Sequence, residues 1–382
     1  MDSSVKVAVV RGENRREAVS RALGLIEGEL RRVIRPGGEV LIKPNLVSHT
    51  SQRPSTHRDT FGAALKCVFG AGAGRVVVAE GATDATAGFR RFGFHREAAG
   101  RDVRFFDINR DETDWEDLTL SGVQGEERIA RVSRTIAHAS CRVSLALAKT
   151  HVTSIVTFCL KNMLSSIHPK DRVMMHGYAG GGNGYSGWRR LVVEFLKQDN
   201  FAVNVLTRAM GRAKNVRTAW RSARRTGDAF HALNPAELNY LRSVEAMNHN
   251  LVSLAEATKP HVAVVDGFLA MHREGPRHGT PINLKTVIAG TDAVAVDAVA
   301  AAMMGFEPRQ IGYLVYAEAA GLGVIDLARI ALVGDPLDLG TRRCVPHSNH
   351  DIQRHWYRLA EATRRGPHFS LAQDRAERDE LR

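Results

Sequence analysis

Short apolar runs rich in Val, Ile and Leu alternate with amphipathic helical patterns along most of this 382-residue chain. The runs predict buried β-strands, and the segments between them predict helices. Strands that alternate with helices are typical of a mostly parallel sheet with helices on both faces, because each parallel connection needs a long crossover. The sequence therefore predicts an α/β fold. The predicted strands lie at 5–10, 38–46, 75–82, 103–108, 142–148, 261–267, 284–290 and 328–335, and the predicted helices at 14–33, 59–71, 152–164 and 292–304.

Residues 170–250 interrupt this alternation. Six glycines fall within MMHGYAGGGNGYSGW, and 207–226 carries seven basic residues and no acidic one. We interpret 170–250 as a Gly-rich lid followed by a basic insertion or cap, between an N-terminal α/β half at 1–169 and a C-terminal half at 251–340. The remaining segment, 341–382, has mixed charge and few large apolar residues, so we expect a peripheral tail.

The formal net charge of +12 favours anionic partners. The candidates are carboxylated or phosphorylated small molecules and nucleic acid. Within 207–226, four arginines have the spacing of one helical face. This face would either bind phosphates of nucleic acid or be a solvated basic surface. They are Arg217, Arg221, Arg224 and Arg225.

Cysteine spacing and hydropathy exclude several classes of protein. The four cysteines form no CxxC pair, which argues against a zinc–thiolate site, an iron–sulfur cluster and a disulfide framework. The first residues have no apolar core of signal-peptide length, and no apolar stretch approaches the roughly 18 residues of a membrane span. We therefore expect a cytoplasmic protein, and the sequence does not indicate an oligomeric state.

Polar residues follow several of the predicted strands directly. In one parallel sheet the ends of the strands share an edge, which is where open α/β sheets bind ligands. Lys149, Thr150 and His151 stand out, because they join a buried strand to the helix predicted at 152–164. A lysine is repelled by the positive end of a helix unless an anion binds both. The other residues in such positions are Lys43, Asn45, Glu80, Asp266, Asp292 and Asp335.

Two of these residue sets also have structural interpretations. Lys43 and Glu80 would form a buried ion pair, and Asp292 would cap the helix predicted at 292–304. Asp297 lies among small apolar residues on that helix, so its carboxylate needs a partner. That partner is either a ligand in the cleft or the backbone of a neighbouring loop.

The segment DGFLAMHREGPRHGTP concentrates carboxylate and imidazole groups, which serve as metal ligands or as acid–base groups. It contains Asp266, His272, Glu274 and His278. The candidate ligands of a divalent metal are Asp266, His272 and His278 from this segment, together with His151. No HxxxH or HExxH spacing supports a metal here. GNGYSG at 182–187 matches GxGxxG without a preceding strand, so we expect 174–187 to be a lid near His151 rather than a nucleotide site.

Taken together, these motifs resemble the domain of unknown function family number 362. The matching stretches are LIKPNLV, VVVAEGA, AKTHVTSIVTFCLKNM, VVDGFLAMHREGPRHGTP and GTDAVAVDAVAAAMMG. Several members of that family carry ferredoxin-like cysteine clusters, which this chain lacks. By resemblance, the residues within the family's motifs are Lys43, Asn45, Lys149, His151, Lys161, Asn162, Asp266, Glu274, Gly275, Pro276, Asp292 and Asp297.

These observations favour an enzyme that acts on an anionic small molecule by proton transfer, as in isomerisation, elimination or cyclisation. The catalytic candidates are Lys149, His151, Asp266 and Glu274, with His151 as the proton shuttle. The alternatives are a metal-dependent enzyme and a nucleic-acid-binding protein that uses 207–226. The substrate-binding candidates are Lys43, Asn45, Glu80, Thr150, Lys161, Asn162 and Asp292.

Overall fold

The computed structural model describes residues 5–110, 114–179, 233–337 and 343–363. Twelve strands lie within these ranges. They are β1 (Val5–Arg11), β2 (Glu39–Pro44), β3 (Arg75–Glu80), β4 (Val103–Asp107), β5 (Trp115–Ser121), β6 (Glu127–Ser133), β7 (Arg142–His151), β8 (Ile155–Thr157), β9 (Val262–His272), β10 (Thr280–Ile282), β11 (Thr286–Gly290) and β12 (Ile330–Gly334).

Helices connect most of these strands, as the alternating pattern predicts. They are α1 (Arg15–Leu25), α2 (Glu27–Val33), α3 (Arg58–Gly70), α4 (Ala85–Arg91), α5 (Phe94–Glu97), α6 (Arg134–Ala137), α7 (Cys159–Asn162), α8 (Pro235–Thr258), α9 (Ala293–Met303), α10 (Gly312–Ala319), α11 (His350–Gln353) and α12 (Trp356–Thr363). None of the described helices is long and apolar enough to cross a membrane.

One large sheet organises the described residues, in the order β12-β1-β11-β9-β7-β2-β3-β4. Along this path only β11 runs against the other strands. The short strands β8 and β10 add hairpins to β7 and β9, and β5 pairs with β6 in a separate sheet. The predicted mostly parallel α/β fold is confirmed, and β2, β3, β7 and β9 end at a common edge.

Both faces of the sheet are covered by helices because both sides of the strands are apolar. Along β7, Leu145 belongs to the core beneath α1 and α3, whereas Ala146 belongs to the core beneath α8 and α9. Side chains alternate between the two faces of a strand, so a strand buried on both faces reads as an unbroken apolar run.

The helix predicted at 152–164 is wrong for residues 152–158, and only its second half is helical, as α7 and the 3-10 turn Met163–Ser166. β7 continues through His151, turns sharply, and pairs back on β8, with Lys149 opposite Thr157. Ile155 adopts a φ of 64° in this turn. The spacing of apolar residues imitated a helix because the β-branched residues of the hairpin are buried, and a short apolar run does not distinguish the two structures. Lys149, Thr150 and His151 are therefore strand residues.

Two further boundaries differ from the prediction. The helix predicted at 14–33 is two helices, α1 and α2, which meet at Ile26. Residues 235–250, which we placed in the insertion, form the first part of α8. This helix begins with a capping box between Asn234 and Glu237 and packs against the core. The basic segment 207–226 lies outside the described residues, and the domain boundaries remain predictions.

The described part of the segment that we expected to be a tail belongs to the folded body. Trp356 and Leu359 of α12 are buried against Leu241 and Val244 of α8. Gln353 of α11 is fully buried and donates a hydrogen bond to the backbone oxygen of His151, at 2.9 Å. This segment therefore packs over the end of β7.

A buried ion pair joins β2 to β3 at the common edge. Lys43 Nζ lies 3.0 Å from Glu80 Oε2, and both side chains are inaccessible to solvent. The same carboxylate accepts hydrogen bonds from the N–H groups of Leu46, Gly81 and Ala82 and from the hydroxyl of Ser165. Burial alone would raise the pKa of Glu80, but the charge of Lys43 and these donors outweigh it and lower the pKa. The interpretation as a structural ion pair fits this geometry.

We predict that Lys43→Met lowers the free energy of unfolding by about 3–5 kcal/mol, because it leaves the Glu80 carboxylate charged and buried. Urea unfolding of the variant and of the parent protein measures this cost. Lys66→Met, at an exposed position of α3, is the matched control and should change stability by less than about 0.5 kcal/mol. A Lys43→Met variant as stable as the control would contradict the structural role.

Candidate functional site

Lys149 lies at the end of β7 and is held by neutral acceptors. Its Nζ donates to Asn45 Oδ1 at 2.7 Å and to the backbone oxygen of Pro54 at 2.9 Å. Asn45 Nδ2 in turn donates to Asn162 Oδ1 at 3.0 Å, and Asn162 Nδ2 donates to the backbone oxygen of Lys43 at 3.1 Å. This chain of amides connects the loop after β2 to α7 and fixes the amine of Lys149.

Lys161 is carried by α7, a single helical turn held in place by Asp297. The Asp297 carboxylate accepts hydrogen bonds from the N–H groups of Cys159, at 2.8 Å, and of Leu160, at 3.1 Å. Burial raises the pKa of Asp297 to about 7, against the opposing effect of these two donors. Of the two partners that the sequence allowed for Asp297, the backbone of a neighbouring segment is the one observed. Asp297 therefore positions Lys161 and does not contact the cleft itself.

The amine of Lys161 has no oxygen partner among the described residues. Its one recorded hydrogen bond is to the sulfur of Met247, at 3.8 Å, and thioethers are weak acceptors. Lys149 and Lys161 are 2% and 6% exposed, respectively. Burial lowers the pKa of each to about 7, and in Lys149 the charge of Lys161 lowers it further while Glu80 raises it.

Two histidines complete this group, which we call the lysine–histidine cluster: Lys149, His151, Lys161 and His176. Burial lowers the pKa of His151 well below its usual value, and the charges of Lys161 and His176 add to this effect. Burial and the charge of Lys161 lower the pKa of His176 to about 3. Both imidazoles are therefore neutral at pH 7. The charge of Lys161 lowers the pKa of each of the other three members.

The tautomer of His151 follows from its hydrogen bonds. The N–H of Thr153 donates to His151 Nδ1 at 3.0 Å. A neutral imidazole that accepts at Nδ1 carries its proton on Nε2. His151 is thus assigned as a hydrogen-bond donor through Nε2, rather than as a base.

Residues that sequence reasoning missed form one side of the cluster. The charge of His347 lowers the pKa of His151. His347 Nε2 lies 3.2 Å from Glu274 Oε2. The hydroxyl of Tyr240 donates to the backbone oxygen of Val152. The string HSNHD at 347–351 was a usable signal, because polar residues that favour turns and sites are dense there. Tyr240 gave no such signal within an ordinary helix.

Several predicted site residues have other partners. Asp266 lies at the common edge, but it accepts a hydrogen bond from Thr60 at 2.6 Å and pairs with Arg15 at 3.2 Å. The hydroxyl of Thr150 donates to the backbone oxygen of Arg273 at 2.7 Å. The backbone of Gly275 also passes very close to that of Thr150, since a Cβ on Gly275 would lie 2.1 Å from the backbone oxygen of Thr150. Thr150 therefore anchors the 273–275 loop.

The expectation that Asp292 lies at the common edge was wrong. β11 runs antiparallel to β9, so the end of β11 points to the opposite edge. There Asp292 accepts hydrogen bonds from the N–H groups of Val294 and Ala295 and caps α9, as its alternative interpretation predicted. The sequence could not reveal this, because the direction of a strand leaves no mark in its apolar pattern.

The candidate metal ligands are not assembled. Within the described ranges, no group of three or more His, Cys, Asp or Glu side chains is placed to hold a metal ion. His272 Nδ1 accepts a hydrogen bond from the N–H of Val345, at 3.1 Å. Residues 174–179 of the predicted lid are described and include His176, whereas 180–187 lie outside the described residues.

We predict that the two cluster lysines make the stability of the protein rise with pH above neutrality. Each has a pKa of about 7 in the folded chain, against about 10.4 when unfolded. Between these values the unfolded chain holds protons that the folded chain lacks, so raising the pH favours folding. The stability of the parent protein relative to Lys161→Met should rise by about 1 kcal/mol per pH unit from pH 7.5 to 9.5.

Urea unfolding at three pH values in this window measures the slope. Lys66→Met is the control, because that lysine is exposed and should show no such difference from the parent protein. A stability difference between the parent protein and Lys161→Met that is flat over the window would show that Lys161 stays protonated when buried.

Two solved structures show distant likeness to the chain. One is a protein from Thermotoga maritima, a structural genomics target, with a TM-score of 0.40, 9% identity and coverage of 74% of this chain. The other is the lactate racemase apoprotein from Thermoanaerobacterium thermosaccharolyticum, with a TM-score of 0.40, 13% identity and coverage of 77% of this chain. In both, the match covers 57% of the other protein's length. Likeness at this level is too low to carry an activity from one protein to another.

No curated protein matches the chain significantly. The family profile described as "Domain of unknown function (DUF362)" matches residues 40–302. This range includes β2 to β9 and the helices that carry Lys161 and Asp297. Because the match covers most of the chain, the protein belongs to the DUF362 family.

Proposed function

We propose that the protein is an enzyme that binds a carboxylated or phosphorylated small molecule at the lysine–histidine cluster and catalyses a proton transfer on it. The observation that carries the proposal is the pair of buried lysines, Lys149 and Lys161. Neither contacts a carboxylate among the described residues, and the nearest acid that acts on Lys149, Glu80, is already bound to Lys43.

An anion would balance this arrangement. A buried ammonium group without a counter-charge is costly, and it either loses its proton or acquires a partner. A carboxylate or phosphate beside Lys149 would accept a hydrogen bond from its amine. It would also raise the pKa of Lys149, because an opposite charge favours the protonated form.

The same residues supply acid–base chemistry. A group whose pKa lies near the operating pH transfers protons most effectively, and the pKa values of about 7 for Lys149 and Lys161 meet this condition. With the proton held on Lys149 by the negative charge of the bound anion, the neutral amine of Lys161 would accept a proton from the substrate. His151 would donate through Nε2 to the oxygen on which charge develops. Isomerisation, elimination and cyclisation all need one group that accepts a proton and another that donates a hydrogen bond to the developing charge.

Glu274 is a candidate for a supporting role rather than for the central base. It accepts hydrogen bonds from the N–H and hydroxyl of Ser348, at 3.2 Å each, in addition to its contact with His347. Its carboxylate would hold His347 beside the cluster. Asp266 would serve the fold through Arg15 and Thr60.

We predict that anion binding takes up protons and weakens as the pH rises through neutrality. Above pH 7, Lys149 must gain a proton before it can pair with the anion, so affinity should fall from pH 7 to 9. Isothermal titration of acetate, malonate and inorganic phosphate, repeated in buffers of different ionisation enthalpy, measures both effects. Lys149→Met should weaken binding by about tenfold to a hundredfold, the worth of one charged hydrogen bond.

Lys66→Met is the matched control and should bind as the parent protein does. Binding that is equal in the Lys149→Met variant, or independent of pH, would contradict the proposed anion site.

We predict that the protein exchanges a carbon-bound proton of its ligand with solvent and that His151 is needed for this. In D2O, mass spectrometry should detect deuterium in 2-oxo and 2-hydroxy acids incubated with the protein. His151→Asn keeps a side-chain acceptor for the N–H of Thr153 and removes the Nε2 donor. It should fold normally and lower exchange by about a hundredfold or more. Full exchange in this variant would remove His151 from the mechanism.

A further inference from the structure

We infer that Lys161 forms an imine with the carbonyl carbon of its substrate, which makes the substrate a small carbonyl acid such as a 2-oxo acid. This inference rests on the function proposed above. It narrows the anionic substrate to one that also carries an aldehyde or ketone group, and for such a substrate it makes the neutral amine of Lys161 a nucleophile in place of a base.

The partners of three buried lysines set Lys161 apart. Lys43 is paired with a carboxylate, and Lys149 donates to two carbonyl oxygens. Among the described residues, the amine of Lys161 hydrogen-bonds only to the thioether of Met247, so no described oxygen restrains its nitrogen or favours its charged form. A desolvated, neutral lysine amine of this kind is a nucleophile towards carbonyl groups. Lysines that only bind anions do not need this environment.

The charges of the cluster favour a division of roles between the two lysines. The charge of Lys161 lowers the pKa of Lys149, since two ammonium groups repel in a buried site. An anion held by Lys149 keeps the proton on that amine. Lys161 then retains its lone pair, consistent with its lowered pKa of about 7.

Asp297 fixes the position of the turn that carries Lys161. α7 cannot shift without breaking the hydrogen bonds from Cys159 and Leu160 to Asp297. The amine is therefore carried by a fixed turn, and its charge lowers the pKa of His151, His176 and Lys149. A carboxylate bound by Lys149 would bring an adjacent carbonyl carbon towards Lys161, and fixed geometry of this kind is a large part of the rate of such an addition.

The step balances without another reactant. The lone pair of Lys161 Nζ forms a bond to the carbonyl carbon, and the C=O π electrons move to the oxygen, which accepts a hydrogen bond from His151 Nε2–H. One proton passes from the nitrogen to this oxygen and gives a carbinolamine. The nitrogen lone pair then displaces the hydroxyl group as the C–O bond breaks, and that group takes the second proton of the nitrogen and leaves as water. Amine plus carbonyl gives imine plus water, with no oxidant or reductant.

Reductive trapping tests the inference. The full-length protein is incubated with glyoxylate, pyruvate or the uncharged acetaldehyde in the presence of cyanoborohydride. Each trapped probe adds the mass of the carbonyl compound minus one oxygen atom, and peptide mapping identifies the lysine. Thermal shift with the same glyoxylate and pyruvate solutions, without reductant, reports binding separately. The variants are Lys161→Met and Lys149→Met, with Lys66→Met as the control.

We expect one adduct per chain at Lys161, absent from Lys161→Met and unchanged in Lys66→Met. Lys149→Met should trap glyoxylate at Lys161 at least about tenfold more slowly, and acetaldehyde at a nearly unchanged rate. Mapping in the parent protein decides the site even if Lys161→Met folds poorly. Glyoxylate or pyruvate that stabilises the protein but is trapped nowhere, or only on surface lysines, would overturn the imine and leave the anion site standing. Absence of both trapping and stabilisation would overturn the imine, and absence of stabilisation by any anion would overturn the proposed function as well.

Discussion

The burial of two lysine amines without an acidic partner is the constraint on which the site depends. Lys149 and Lys161 lie near the end of a parallel sheet, and in the described part of the chain their hydrogen-bond acceptors are neutral: amides for Lys149 and a thioether for Lys161. Such a site is unfavourable for charge while it is empty and favourable for an anion. Active sites commonly contain groups that lower the stability of the empty protein, because the same unfavourable environment favours binding of a ligand.

Much of the surrounding structure keeps these amines in place. The ion pair between Lys43 and Glu80 links the ends of β2 and β3, and it engages the carboxylate whose charge raises the pKa of Lys149. Asp297, on a helix that packs beneath the sheet, holds the turn that carries Lys161. Among the described residues, these acidic side chains therefore act as supports beside the cluster, and neither Lys149 nor Lys161 pairs with a carboxylate.

Sequence patterns were enough for the sheet but not for the details of the site. The strands were predictable because burial on both faces leaves continuous apolar runs, and the polar residues at their ends marked the edge that carries Lys149 and His151. The hairpin after His151 was not predictable, because its buried β-branched residues also fit helical spacing. Asp292 was misplaced because the antiparallel direction of β11 is a tertiary property. His347 entered from a segment expected to be peripheral, since its contact with Glu274 spans distant parts of the chain.

Until an anion binds, the two cluster lysines have pKa values near 7. Nitrogen-15 NMR of the lysine Nζ atoms, assigned with Lys149→Met and Lys161→Met, measures both pKa values directly. The account predicts that both amines titrate near pH 7 in the free protein, and that saturating inorganic phosphate or glyoxylate raises the pKa of Lys149. Two amines that titrate near 10.4, as exposed lysines do, and that do not respond to either anion would contradict it.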